Sequence, residues 1–157
     1  MTVHHRSIHL ETRYTLQFVD ITDQVIDFVA GSGIRFGWVN VQSEHTTTAV
    51  VINEHEPLLI EDMRKTLECL APREKRYSHD DFDVRTVNME VGEQPNGHAH
   101  CKALLLRTSE TLNIVDGQLR LGRWQRIFFI ELDRSRLRTV SVMVMGAAEG
   151  DVLHGYA

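Results

Sequence analysis

The sequence predicts an α+β domain in which strands outnumber helices, and three observations carry that expectation. A period-two stretch opens the chain, two helical patterns fail to alternate regularly with the strands, and the C-terminal half reads as strand after strand. Ile8, Leu10, Thr12, Tyr14, Leu16 and Phe18 alternate with mainly polar residues, which predicts one long half-buried strand. Thr22 can then cap a short helix whose Val25, Ile26 and Val29 share a face, with Gly31 and Gly33 ending it. Phe36 to Val41 and Thr46 to Ile52 are rich in β-branched and aromatic residues and predict two strands with an interrupted connection, where His45 lies. Pro57 suits a first helical turn, and Ile60, Met63, Leu67 and Leu70 recur at helical spacing until Ala71-Pro72. Residues 73–97 lack periodicity and predict a long surface loop with a functional role. Beyond it, Ala103 to Arg107, Thr111 to Val115, Gln118 to Leu121, Arg126 to Leu132 and Arg138 to Met145 predict strands, with an Asp116-Gly117 turn.

Composition narrows the function classes. A chain of 157 residues, 42% hydrophobic and 25% charged, has the size and makeup of one globular domain, here residues 1–157. No apolar run approaches a membrane span, and the N-terminus lacks a secretory h-region, so the expected location is the cytoplasm, with no membrane partner. A net charge of −5 gives no general attraction to phosphate backbones, so no nucleic-acid partner is expected, and the Arg134, Arg136, Arg138 cluster reads as a solvated turn. Cys69 and Cys101 lack the spacing of a zinc or redox pair and read as free thiols. Nucleotide-binding glycine loops and the Gly-x-Ser-x-Gly elbow are absent from the sequence.

The chemistry-bearing residues are histidines. If His98 to His100 is extended, both imidazoles project to one face and can share an ion such as zinc or nickel, with His45, His79, Glu54 or His55 completing the set. Alone, such a pair is equally compatible with solvent-facing or hydrogen-bonded histidines. His45 is followed by Thr46-Thr47-Thr48, whose hydroxyls can hold an anion, while Asn53-Glu54 adds a carboxylate able to move a proton or merely to cap the next helix. Gly122-Arg123-Trp124-Gln125 combines a turn with a flat aromatic surface.

Taken together, His45-Thr-Thr-Thr-Ala, Ile52-Asn-Glu, Tyr77-Ser-His79-Asp, Asn96-Gly-His-Ala-His100-Cys-Lys-Ala and Leu121-Gly-Arg-Trp124-Gln125 resemble the signatures of the YjbQ family, in the family's order and from the first strand to Gly146. The resemblance implies a mostly antiparallel β-sandwich with two helices, trimerising about a threefold axis, with a polar pocket near the subunit contacts. It also implies a secondary thiamine-phosphate synthase activity, joining hydroxymethylpyrimidine diphosphate to thiazole phosphate with release of pyrophosphate, normally with magnesium. Two departures stand out: Arg123 replaces the threonine of many relatives, and residues 84–94 lengthen the loop after His79.

Three readings follow. In the first, His45, His79 and His100 hold a divalent metal, His98 is a fourth donor or catalytic partner, and Glu54 accepts a proton. In the second, a phosphorylated small molecule is bound through Thr46, Thr47, Lys102 and Arg123, with Trp124 and Gln125 beside them. In the third, the protein is a non-enzymatic trimeric metal- or anion-binding module. The apolar run Ile127 to Ile130 is expected to exclude water from both faces, one of which meets another subunit in a homotrimer of about 54 kDa, three times 18.0 kDa.

Overall fold

A computed structural model describes residues 1–148, 150 and 151; the remainder of the expected 1–157 domain lies outside the described residues. The described residues form two antiparallel sheets and three α-helices. The elements are β1 (Thr2–Glu11), β2 (Gln17–Asp20), α1 (Thr22–Gly31), β3 (Ile34–Ser43), β4 (Thr48–Glu54) and α2 (Pro57–Leu70). They continue as α3 (Gly97–Leu105), β5 (Ser109–Val115), β6 (Gln118–Leu119), β7 (Gln125–Glu131) and β8 (Leu137–Ala148). One sheet has the order β1-β8-β3-β5-β6 and the other β2-β7-β4.

Strand periodicity explains the core. Val140, Val142 and Val144 of β8 pair with Ile8 of β1 and with Val39 and Val41 of β3, so one face of the larger sheet is aliphatic. Val50 and Ile52 pair with Phe129 and Ile127, giving the smaller sheet an apolar face of its own. These faces and Val25 and Val29 of α1 form one buried cluster. The other face of the smaller sheet, with Ala49, Phe128 and Ile130, packs against Ile60 and Leu67 of α2 and Ala99 of α3. Burial of Ile127 to Ile130 on both faces is thus met by this chain's own residues.

Three expectations change. The single first strand is two, because Leu16 adopts φ 55° in a turn that carries the chain from the larger sheet to the smaller. The two strands around His45 belong to different sheets, so the polar segment between them is a crossover. A third helix, α3, replaces the extended segment expected at His98 to His100 and the strand expected at Ala103 to Arg107. Ala99, Lys102, Ala103, Leu104 and Leu105 are good helix formers and no residue of α3 is β-branched, while Asp80 accepts hydrogen bonds from the Asn96 and Gly97 amides at its start (2.9 and 2.8 Å).

The crossovers β1→β2, β3→β4 and β7→β8 lie at one end of the two sheets, and a buried ion pair fastens them. Glu131, fully buried, accepts from Arg138 Nε (2.7 Å) and Nη2 (2.6 Å), from Thr12 Oγ1 (2.9 Å) and from the Asp133 amide (3.0 Å). Arg138 Nη2 also donates to Thr47 Oγ1 at 3.1 Å. Each crossover thus contributes one partner: Thr12, Thr47 and Asp133. At the strand centre, Gly37 faces Gly146, and a Cβ on Gly37 would stand 2.1 Å from the Met145 carbonyl oxygen.

Candidate anion-binding cleft

Above the Glu131–Arg138 pair opens a cleft of about 460 Å³ lined by the crossover Glu44 to Thr47, by His79, by Asn96 and His100 at the start of α3, and by Arg136 and Arg138. Asn88, Glu90 and Glu93 of the long loop form its rim. The structure therefore brings together His45, His79 and His100 with Thr46 and Thr47, from segments far apart in sequence.

Each histidine is held differently. The Thr139 amide donates to His45 Nε2 at 2.9 Å, and a backbone N–H can only donate, so Nε2 accepts and the proton of neutral His45 sits on Nδ1. Burial, followed by the nearby Arg138 charge, lowers the His45 pKa below its ordinary value. His100 packs edge-on against His79, with ring centroids 4.7 Å apart. Burial, followed by His79, holds its pKa below normal as well. Asn96 adds a buried side-chain oxygen without a protein partner. The cleft thus combines neutral imidazoles with the guanidinium groups of Arg136, paired with Asp133 at 3.0 Å, and Arg138, paired with Glu131, and with the carboxylates Glu44, Glu90 and Glu93, a set able to meet a polar ligand and to move a proton.

The three-histidine metal set does not fit this arrangement. His45 presents a proton where a ligand needs a lone pair, and among the described residues no three His, Cys, Asp or Glu side chains converge with metal-binding spacing.

The other expected site residues stand elsewhere. His98 and His100 are about 200° apart around α3, so they cannot face one ion. His98 instead accepts from Lys102 Nζ at 3.3 Å through Nδ1, which leaves Nε2–H buried without a partner. Burial, with Lys102 and Arg73 adding to it, lowers the His98 pKa. Lys102 is fully buried and spends its other donors on the Ala71 carbonyl (2.6 Å) and Glu68 (2.9 Å), so it faces the interior between α2 and α3 rather than the cleft. Glu54 pairs with Gln125 at the far end of the smaller sheet, six strand residues or about 20 Å from Thr48 and Glu131. There Arg123 stacks over Trp124 at 4.5 Å, and Gln125 accepts from the Gly122 amide at 2.8 Å.

Arg136 and Arg138, expected from the sequence in a solvated turn, instead line the cleft. The available signals were Glu131, a lone charge closing the apolar run of β7, and the placement of Arg138 in phase with Val140, Val142 and Val144. A buried carboxylate requires a partner, and the in-phase arginine supplies it.

Comparison with known proteins agrees with this architecture. A UPF0047 protein of Methanothermobacter thermautotrophicus is 37% identical over 146 residues, covering 93% of this chain and 94% of that one. One from Archaeoglobus fulgidus is 42% identical over 136 residues, 87% of this chain and 97% of the other. Among solved structures, a YbjQ-like protein of unknown function from Sulfolobus solfataricus P2 superposes with a TM-score of 0.83 at 33% identity, covering 93% of this chain and 99% of that one. A hypothetical protein of Aeropyrum pernix K1 gives 0.81 at 33% identity, covering 92% and 99%. Residues 6–147 match the model of UPF0047 YjbQ-like proteins, and with these relatives the match shows that the chain belongs to the YjbQ-like UPF0047 family.

Proposed function

We propose that the cleft binds a small phosphorylated molecule and moves a proton on it, so that the protein acts as a small-molecule enzyme. The observation that supports this reading is the convergence of Arg136, Arg138 and His45 on a cavity that also holds His100, whose depressed pKa keeps it neutral near pH 7. Thiamine-phosphate synthesis is the candidate reaction. The thiazole nitrogen would form a bond to the pyrimidine methylene carbon as the C–O bond to the diphosphate breaks, with the cleft donors meeting the departing pyrophosphate. A divalent ion, whether zinc, nickel or magnesium, would have to be held without His45. Incubating both precursors with the wild-type chain should yield thiamine phosphate, and His100→Ala should reduce the yield. No product above a heat-killed control removes the transferase, and phosphate binding without turnover would favour the non-enzymatic anion-binding module.

The same reading includes the two sheets packed as a sandwich and a cytoplasmic homotrimer. Support for assembly comes from the second face of the larger sheet, where Val3, Met145 and Trp38 stand side by side outside both buried clusters. A trimer is also a means of bringing Arg123, Trp124 and Gln125 of one subunit to the cleft of another. Light scattering should report about 54 kDa, three times 18.0 kDa, and a stable monomer would reject the shared site.

A further inference from the structure

The loop between α2 and α3 places one more cation, Arg85, directly behind the cleft wall, against His79 and Glu93 of its lining. The Arg85 side chain is only 11% exposed, and its Nη1 stands 2.7 Å from His79 Nε2, 3.2 Å from His79 Nδ1 and 3.1 Å from the His79 carbonyl oxygen. Its Nη2 donates to the Glu93 carboxylate and lies 3.5 Å from the Asn88 carbonyl oxygen, while its Nε is buried with no partner. Phe82 supports the guanidinium from one side, its ring centroid 5.5 Å away. The arginine is thus fixed in place against His79 and has one N–H without a partner. Glu93 lines the cleft itself, and the Glu90 amide donates to the same carboxylate at 3.3 Å. Of the three carboxylates in the lining, Glu44, Glu90 and Glu93, Glu93 is the one paired with a nearly buried guanidinium.

We propose that Arg85 is the anion-selecting residue of the cleft and that Glu93 is a built-in substitute for the ligand's phosphate, displaced when the phosphate arrives. The inference rests on the phosphate-binding reading above. A phosphate carries more charge and more acceptor oxygens than a carboxylate, so it can engage both Nη2 and the unpaired Nε of one planar fork. Glu93 sits between exposed loop residues, so its released carboxylate passes directly into water. The exchange makes occupancy selective: a monoanion gains little over the carboxylate it replaces, whereas a phosphate or diphosphate gains charge and a further hydrogen bond.

The test is calorimetric titration of the full chain with inorganic phosphate and with pyrophosphate. Glu93→Gln removes the competitor and should tighten binding roughly tenfold or more, while Arg85→Ala should weaken it by a similar factor relative to wild type. Circular dichroism checks that each variant is folded, and Arg85→Gln serves if the alanine variant is not. Wild-type binding unchanged by either substitution would overturn the Arg85–Glu93 exchange and leave the cleft reading standing. Absence of binding to both the wild type and Glu93→Gln would overturn both.

Discussion

Replacing Arg138 with alanine should cost about 3–5 kcal/mol of folding stability, because it strands a carboxylate in the interior. Glu131 is fully buried and would keep only the Thr12 hydroxyl at 2.9 Å and the Asp133 amide at 3.0 Å, losing both guanidinium bonds. Each charge-assisted bond contributes roughly 1.5–3 kcal/mol, so two lost bonds give about 3–6 kcal/mol, an overlapping range. Against the usual total of about 5–15 kcal/mol for a domain, the variant would be close to unfolding. Urea denaturation measures this directly, with the slope compared to confirm that the same surface is exposed. The double variant Arg138→Met with Glu131→Leu removes both charges and should recover at least half of the loss. A single variant within about 1 kcal/mol of wild type, or a double variant no better than the single, would refute the claim that an uncompensated buried charge sets the cost.

Other expectations follow from features already described. His98 is held neutral in the fold while the unfolded chain protonates near pH 6.5, so the unfolded state binds more protons. Stability should therefore fall as pH drops below about 6.5, by up to about 1.4 kcal/mol per unit for this group, and His98→Gln should flatten that slope in denaturation curves. Gly37→Ala places a Cβ 2.1 Å from a backbone oxygen of β8 and should cost roughly 1–3 kcal/mol or more by thermal unfolding. Gly117, at φ 76° beside Asp116 at φ 53°, makes the β5–β6 turn, and Gly117→Ala should cost about 1 kcal/mol in the same assay.

Much of the fold is legible in residue order. The Pro57 start of α2, the Asp116-Gly117 turn and the alternation in β8 each carry a local signal, and each is found where expected. The break at Thr12–Leu16 carries none, since Thr12, Tyr14 and Leu16 continue the period-two pattern through a turn that changes sheets. Helix α3 is short, and over nine residues periodicity cannot distinguish it from a strand; only its lack of β-branched residues points to helix. For the cleft, His45, His79 and His100 are chemically conspicuous and do converge. The far position of Glu54 and Arg123 to Gln125 depends on strand pairing, since Glu54 opposite Gln125 fixes both at the wrong end of the sheet. Arg85 and Glu93 lie in an aperiodic loop, where spacing says nothing about which charge meets which.

The placement of three sheet-changing crossovers at one end gives the domain an uneven mechanics. Where Thr12, Thr47 and Asp133 clamp one ion pair, any displacement of the crossovers must break several buried polar contacts together. At the opposite end, around Gly122 to Gln125, the Gly122 amide bond to Gln125 and the stacking of Arg123 on Trp124 are at the exposed surface. Fluctuations should therefore start there and die out toward the clamp. Amide hydrogen exchange would show them as a gradient along β7, fastest near Arg126 and slowest near Glu131. A ligand in the cleft would consequently meet a floor that scarcely breathes beneath a roof of loop, so its binding would register mainly in the residues above it.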